Sequence, residues 1–181
     1  MLDRKNFYID GKWISPTEPR NHKVIDPSNE EICAEISLGG KKDVDKAVSA
    51  AKKAFETWAF SKKEERLDLL EKLYLVYKKR WAEMAKLISL EMGAPMKFST
   101  EMQAATGASH IKSFKNILKD FKFEKDLGEE KNNQKLLYEP KGVCALITPW
   151  NWPINQVNLK VIPALASALS LIHISEPTRT Y

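Results

Sequence analysis

An α/β fold is predicted for this chain by three observations. The run Val143-Cys144-Ala145-Leu146-Ile147-Thr148 is apolar, breaks at Pro149, and gives way to a helical pattern that starts at Pro153. That is the strand, turn and helix order of an open α/β sheet. Between residues 43 and 121, three long segments repeat apolar residues at helical spacing. Near the amino end, Asp10-Gly11 separates two short alternating runs, the strongest short-range hairpin pattern.

Asn6–Ile9 and Lys12–Ile14 are the two arms of that hairpin. Val24-Ile25 is a short strand closed by the turn residues Asp26-Pro27-Ser28-Asn29. Ile32, Ala34, Ile36 and Leu38 alternate along a half-buried strand that places Cys33 on the opposite face, and Gly39-Gly40 ends it. Val44, Ala47, Val48, Ala51, Phe55 and Trp58 predict an amphipathic helix over Asp43–Trp58. Ser61 with Glu64 predicts a capping box for the next helix. Its stripe is Leu70, Leu73, Tyr74, Tyr77, Trp81, Met84 and Ile88, with a break near Lys79 and a stop at Gly93-Ala94-Pro95. Thr100 is expected to cap a third helix through Met102, Ala105, Ile111, Phe114, Leu118 and Phe121. Glu124–Gln134 is polar and charged and reads as an exposed loop, Lys135–Glu139 as a strand, Val143–Ile147 as a buried strand, and Pro153–Ala166 as a helix bent near Pro163.

The totals narrow the function classes. A length of 181 residues, 43% of them hydrophobic, suffices for one modest domain. The net charge of +5 comes mostly from lysines spread between glutamates along the helices, a solvated surface rather than a nucleic-acid face. No run of 18 apolar residues exists, so no membrane span is expected. The start lacks the apolar core of a secretory signal. Two cysteines are too few for a disulfide scaffold, and a cytoplasmic, reducing setting fits best. His22, His110 and His173 are too dispersed for a metal site or a triad, so no metal is predicted.

The segment Ile147-Thr148-Pro149-Trp150-Asn151-Trp152-Pro153 stands between Pro140-Lys141-Gly142-Val143 and Pro163-Ala164-Leu165-Ala166. Together these closely resemble the NAD(P)-dependent aldehyde dehydrogenase family. Asp43-Val44-Asp45-Lys46-Ala47-Val48 and Phe55-Glu56-Thr57-Trp58 extend the resemblance, which covers about residues 5 to 168. It implies the N-terminal part of that family's fold: an incomplete Rossmann-like cofactor domain with an N-terminal helical layer and hairpin, plus a bridging-arm strand. Residues 1–123 are then the first part of the cofactor domain, 124–142 a linker and oligomerisation arm, and 143–168 its first strand-helix unit.

The same resemblance assigns the site. Asn151 takes the place of an asparagine whose amide helps form the oxyanion hole. A neutral NH₂ suits that task because it donates to developing negative charge without titrating. Asparagine is also a good helix cap, a second role the position allows. Ile147, Thr148, Pro149, Trp150 and Asn151 line the cofactor groove, and Lys160 matches a lysine for which a proton relay has been proposed. The implied reaction oxidises an aldehyde to a carboxylic acid with NAD or NADP through a cysteine thiohemiacetal, in a homo-oligomer (dimer or tetramer). The family's catalytic Cys and Glu lie far beyond this stretch. Cys33 and Cys144 sit in strands with no adjacent His or helix start to lower their pKa, so both read as structural. The 181-residue chain is therefore expected to be inactive by itself.

Two other readings share the fold. One is a naturally short, non-catalytic binding or assembly module that uses the Lys135–Pro140 strand to join an oligomer; the other is a CoA-dependent aldehyde dehydrogenase. Residues 169–181 depart from the family pattern, and Leu169–Arg179 resembles the in-frame translation of a sequencing-library adapter. That tail is read as artefactual and left outside the expected fold.

Overall fold

The computed structural model describes residues 1–128 and 134–175. Five short strands open it: β1 (Leu2–Arg4), β2 (Phe7–Ile9), β3 (Lys12–Ile14), β4 (Asn21–Ile25) and β5 (Ile32–Ser37). β2 and β3 form the expected antiparallel hairpin. Asp10 (φ 53°) and Gly11 (φ 74°) both take the left-handed conformation, as a turn matched to the strand twist requires. β1 and β4 flank β5, the first parallel and the second antiparallel to it. Sequence periodicity missed β1, because three residues carry too little alternation to register. On β5 the expected apolar row is covered at Ala34 but exposed at Ile32.

Helix α1 (Lys41–Trp58) begins two residues before its expected start at Asp43. Asp43 explains the early start: one carboxylate oxygen accepts the Gly40 N–H at 2.9 Å. The other accepts the Thr17 N–H at 2.8 Å and the Thr17 hydroxyl at 2.7 Å. Those bonds, the Thr17 hydroxyl foremost, hold the Asp43 carboxyl down at about 2. α2 (Lys63–Lys79) starts one residue later than the expected Ser61–Glu64 box. The Ser61 N–H is already committed to the Trp58 carbonyl, so Lys62 becomes the cap and its N–H donates to Glu65 at 2.7 Å. The expected break falls at Arg80, and α3 (Trp81–Met92) ends at Gly93 with φ 71°, a left-handed helix stop.

The third helical stretch starts earlier than expected. α4 (Met96–Phe98) follows Pro95, passes into a π-helical turn over Ser99–Gln103, and continues as α5 (Ala104–Asp120). Proline's fixed φ suits a helix start. The Thr100 hydroxyl therefore caps nothing and donates to the Met96 carbonyl at 2.8 Å. β6 (Glu124–Asp126) pairs antiparallel with β7 (Lys135–Leu137), and every residue of both is exposed. Part of the expected loop is thus a strand, while 129–133 lie outside the described residues.

The chain closes with a parallel β-α-β unit: β8 (Val143–Thr148), α6 (Pro153–Ala166) and β9 (Ser170–Ser175). The expectation that nothing after residue 168 joins the fold is corrected here. Ser170–Ser175 pairs residue for residue with Val143–Thr148, since an apolar, β-branched run beside an open strand edge satisfies that edge's backbone groups. Residues 176–181 lie outside the described residues. β8 is also less covered than a buried strand: Thr148 is buried, whereas Ile147 is 56% exposed. Helices α1 and α6 are the ones that touch it, and they leave the side chains of Ala145 and Ile147 open. The main core joins α2, α5 and α6 through Leu70, Tyr77, Ala108, Ile111, Leu118, Ile162 and Ala166.

Candidate functional site at the carboxyl end of β8

The site is built on α6, so what fixes α6 comes first. At Gly107 of α5 the two helices approach so closely that a Cβ there would lie 2.5 Å from the Tyr77 hydroxyl and 2.8 Å from Ile154 Cγ1. The Tyr77 hydroxyl donates to the Ala104 carbonyl at 2.7 Å, and burial pushes its pKa up to about 12. The buried Asn158 amide donates to the Gly107 carbonyl at 2.9 Å. His110 Nε2 lies 2.7 Å from Asn155 Oδ1; since that oxygen accepts, the ring nitrogen donates. At the far end of α6, Arg66 donates to the Ala166 carbonyl at 2.8 Å, and its guanidinium stacks 4.5 Å from the Phe123 ring centre.

With the helix held, the turn before it presents the predicted residues together. Thr148 ends β8 with its side chain buried, and its Oγ1 lies 3.0 Å from His173 Nε2 of β9. Partial burial, with the Lys160 charge adding to it, holds the His173 imidazole below its ordinary range. Ile147 and Trp150 expose apolar side chains, Trp150 by 40%. Asn151 is exposed and makes no side-chain hydrogen bond among the described residues. It therefore does not act as the cap of α6. Trp152 holds that position in a left-handed conformation, φ 55° and ψ 60°, and Pro153 starts the helix. Lys160 lies about 10 Å further along α6, by the rise of a helix, and is half-buried.

The structure groups Ile147, Thr148, Pro149, Trp150 and Asn151 at one strand end and places Lys160 two turns away. Neither cysteine joins them. The Cys33 thiol lies in the amino-terminal sheet, donates to the Val24 carbonyl at 3.4 Å, and has its pKa raised by burial. Sequence reading missed the residues that hold α6, namely Gly107, His110 and Asn158. Their partners are distant in the chain, and no local pattern marks them.

A parallel β-α-β unit defines an α/β protein, a class that binds its ligands at the carboxyl ends of the strands. The aldehyde dehydrogenase family model matches residues 13–178, and the chain belongs to that family. It is 43% identical over 173 residues to the 3-succinoylsemialdehyde-pyridine dehydrogenase of a Pseudomonas species, covering 95% of this chain and 35% of the relative. It is 34% identical over 171 residues to a putative aldehyde dehydrogenase of Staphylococcus saprophyticus, covering 93% and 35%. Among solved structures, an aldehyde dehydrogenase from Bartonella henselae superposes with a TM-score of 0.95 at 49% identity, covering 97% of this chain and 37% of that one. Aldehyde dehydrogenase C of Pseudomonas syringae, in complex with NAD+ and octanal, gives 0.89 at 37% identity, covering 93% and 34%. The chain thus spans about a third of the length of the proteins it matches, and its fold is the N-terminal part of theirs.

Proposed function

We propose that this chain supplies the oxyanion donor and the first cofactor-side strand of an enzyme that oxidises an aldehyde to a carboxylic acid with NAD+ or NADP+. The nucleophilic cysteine and the glutamate base come from the family's later sequence. The observation that carries this reading is the exposed Asn151 amide, without a side-chain hydrogen bond among the described residues, set at the carboxyl end of β8 beside the amino end of α6. Trp152 offers α6 no side-chain cap, so first-turn N–H groups and the Asn151 NH₂ both stand ready for an electronegative atom. When an aldehyde oxygen gains charge, donors already in place stabilise it without reorganisation.

The residues also fit a dinucleotide. The exposed Ile147 side chain and Trp150 ring offer apolar surface for a flat ring beside that helix start. Bound there, NAD(P)+ would supply the hydride acceptor, and Ile147, Thr148, Pro149 and Trp150 would hold and orient it. Lys160 serves as a proton relay through water, since it stands too far along α6 for direct transfer. The β6–β7 arm joins copies into a homo-oligomer: Leu136, Leu137 and Tyr138 are exposed, and β7 has no second strand partner among the described residues. No helix among the described residues is long and apolar enough to cross a membrane.

The test joins residues 1–168 to the remaining two-thirds of the Bartonella enzyme. Asn151→Ala in that joined enzyme is expected to lower kcat by about a hundred- to a thousandfold. A loss of less than about threefold, far below that range, would show that Asn151 is not an oxyanion donor.

A further inference from the structure

Trp152 is the strained point of the site. A left-handed backbone is rare for a bulky L residue and persists only where the surroundings impose it. Its indole meets the Phe98 ring edge-on, with centroids 5.5 Å apart and planes at 87°, a geometry that aromatic pairs favour. Phe98 is the last residue before the π-helical turn Ser99–Gln103, and a π turn changes the direction in which neighbouring side chains leave the helix. That turn is itself pinned. The Trp81 indole N–H donates to the Thr100 carbonyl at 3.1 Å, and the Ser99 hydroxyl donates to the Ala94 carbonyl at 3.3 Å. Trp152 directly follows Asn151, so the backbone direction at Trp152 decides where the preceding carboxamide points.

We propose that Phe98 is a positioning residue for Asn151: its ring, presented by the pinned π turn, keeps Trp152 left-handed and so aims the Asn151 amide out of the carboxyl end of β8. The functional consequence rests on the oxyanion reading of Asn151, whereas the geometric claim stands apart from it. Phe98 need not touch substrate or cofactor in this role.

The experiment is nuclear magnetic resonance on the isotopically labelled 181-residue chain. A positive φ at Trp152 gives strong cross-relaxation between its own amide and Hα protons. Phe98→Leu is expected to weaken that signal and to shift the Asn151 side-chain amide pair. The ratio of left-handed to other Trp152 backbone conformers should fall roughly two- to tenfold, the range an aromatic pair supports. The Asn158 amide, bonded to Gly107, should stay in place and report an intact fold. Phe98→Tyr keeps the ring and should restore both signals. Glycine needs no support at positive φ, so in a Trp152→Gly background Phe98→Leu should leave Asn151 unmoved. Should Phe98→Leu disturb Asn158, Phe98→Met carries the same comparison with the apolar volume better preserved. Unchanged Trp152 and Asn151 signals in an intact Phe98 variant overturn the proposal, as does an equal Asn151 shift in the Trp152→Gly background. Failure of the oxyanion reading looks different: Asn151→Ala leaves turnover unchanged in the joined enzyme while these resonances still depend on Phe98.

Discussion

Gly107→Ala isolates the contact on which the position of α6 depends. Helix propensity alone says the change should stabilise α5 by about 1 kcal/mol. The structure says the opposite. The new Cβ would sit 2.5 Å from the Tyr77 hydroxyl, 2.8 Å from Ile154 Cγ1 and 2.9 Å from Tyr77 Cζ, distances no real Cβ tolerates. Either α6 moves away from α5 or the Tyr77 ring swings out of its bond to Ala104. Overpacking of this kind costs about 1–3 kcal/mol, and leaving the buried Tyr77 hydroxyl unpaired costs a further 1–3 kcal/mol or so. After the propensity gain, a net loss of about 1–5 kcal/mol remains, or a fall in Tm of roughly 2–20 °C for a chain of this size. Thermal unfolding followed by circular dichroism measures it. Tyr77→Phe removes the atom nearest the new Cβ, so the double variant should lose less than the sum of the two single losses. A Gly107→Ala chain as stable as the parent, or more so, would refute the close crossing and with it the account of how α6 is held.

Two further predictions concern acid stability and activity. The Asp43 carboxyl is held at about 2 in the folded chain, below its ordinary value, so its contribution is complete above the usual aspartate range and disappears as pH falls through about 2. Asp43→Asn should unfold at lower temperature than the parent at neutral pH, and the gap should close as pH drops into that window; a constant gap in Tm–pH profiles would disprove the linkage. The isolated 181-residue chain should not reduce NAD+ or NADP+ with any aldehyde in a panel, because the role proposed for Asn151 is to stabilise an oxyanion, and an amide cannot create one. Reduction abolished by Cys33→Ser or Cys144→Ser would reveal a nucleophile that the raised Cys33 pKa argues against.

What was legible in the sequence followed the length over which each pattern repeats. α1 to α3 and α5 carry apolar stripes several turns long, and their order and the break at Arg80 follow from them. β1 and β6 have three residues each, too few for a period to show. Caps slipped by one to several residues because the chain before each helix had already committed its N–H groups or supplied a proline, as at Ser61 and Pro95. The turn that carries Asn151 was legible because it lies inside one contiguous motif. Its supports were not: His110 and Asn155 are 45 residues apart, and Gly107 and Asn158 are 51 apart. Only the fold brings such pairs together.

The way α6 is held also explains why its supports are polar. Burial of apolar surface is non-directional, so Ile162, Ala164 and Ala166 alone would let the helix slide or turn on the core at little cost. A slip of one residue would rotate it by about 100° and shift it by about 1.5 Å, enough to carry the preceding turn out of register with the strand end. Hydrogen bonds at Asn155, Asn158 and Ala166 lie in succession along α6, each to a partner on a different turn of α5 or on α2. Their directional geometry fixes both rotation and height, and a slip would leave buried donors unpaired at about 1–3 kcal/mol each. The helical layer before residue 121 thus has a task beyond forming a core. It sets α6, the turn before it, and the position of the Asn151 amide.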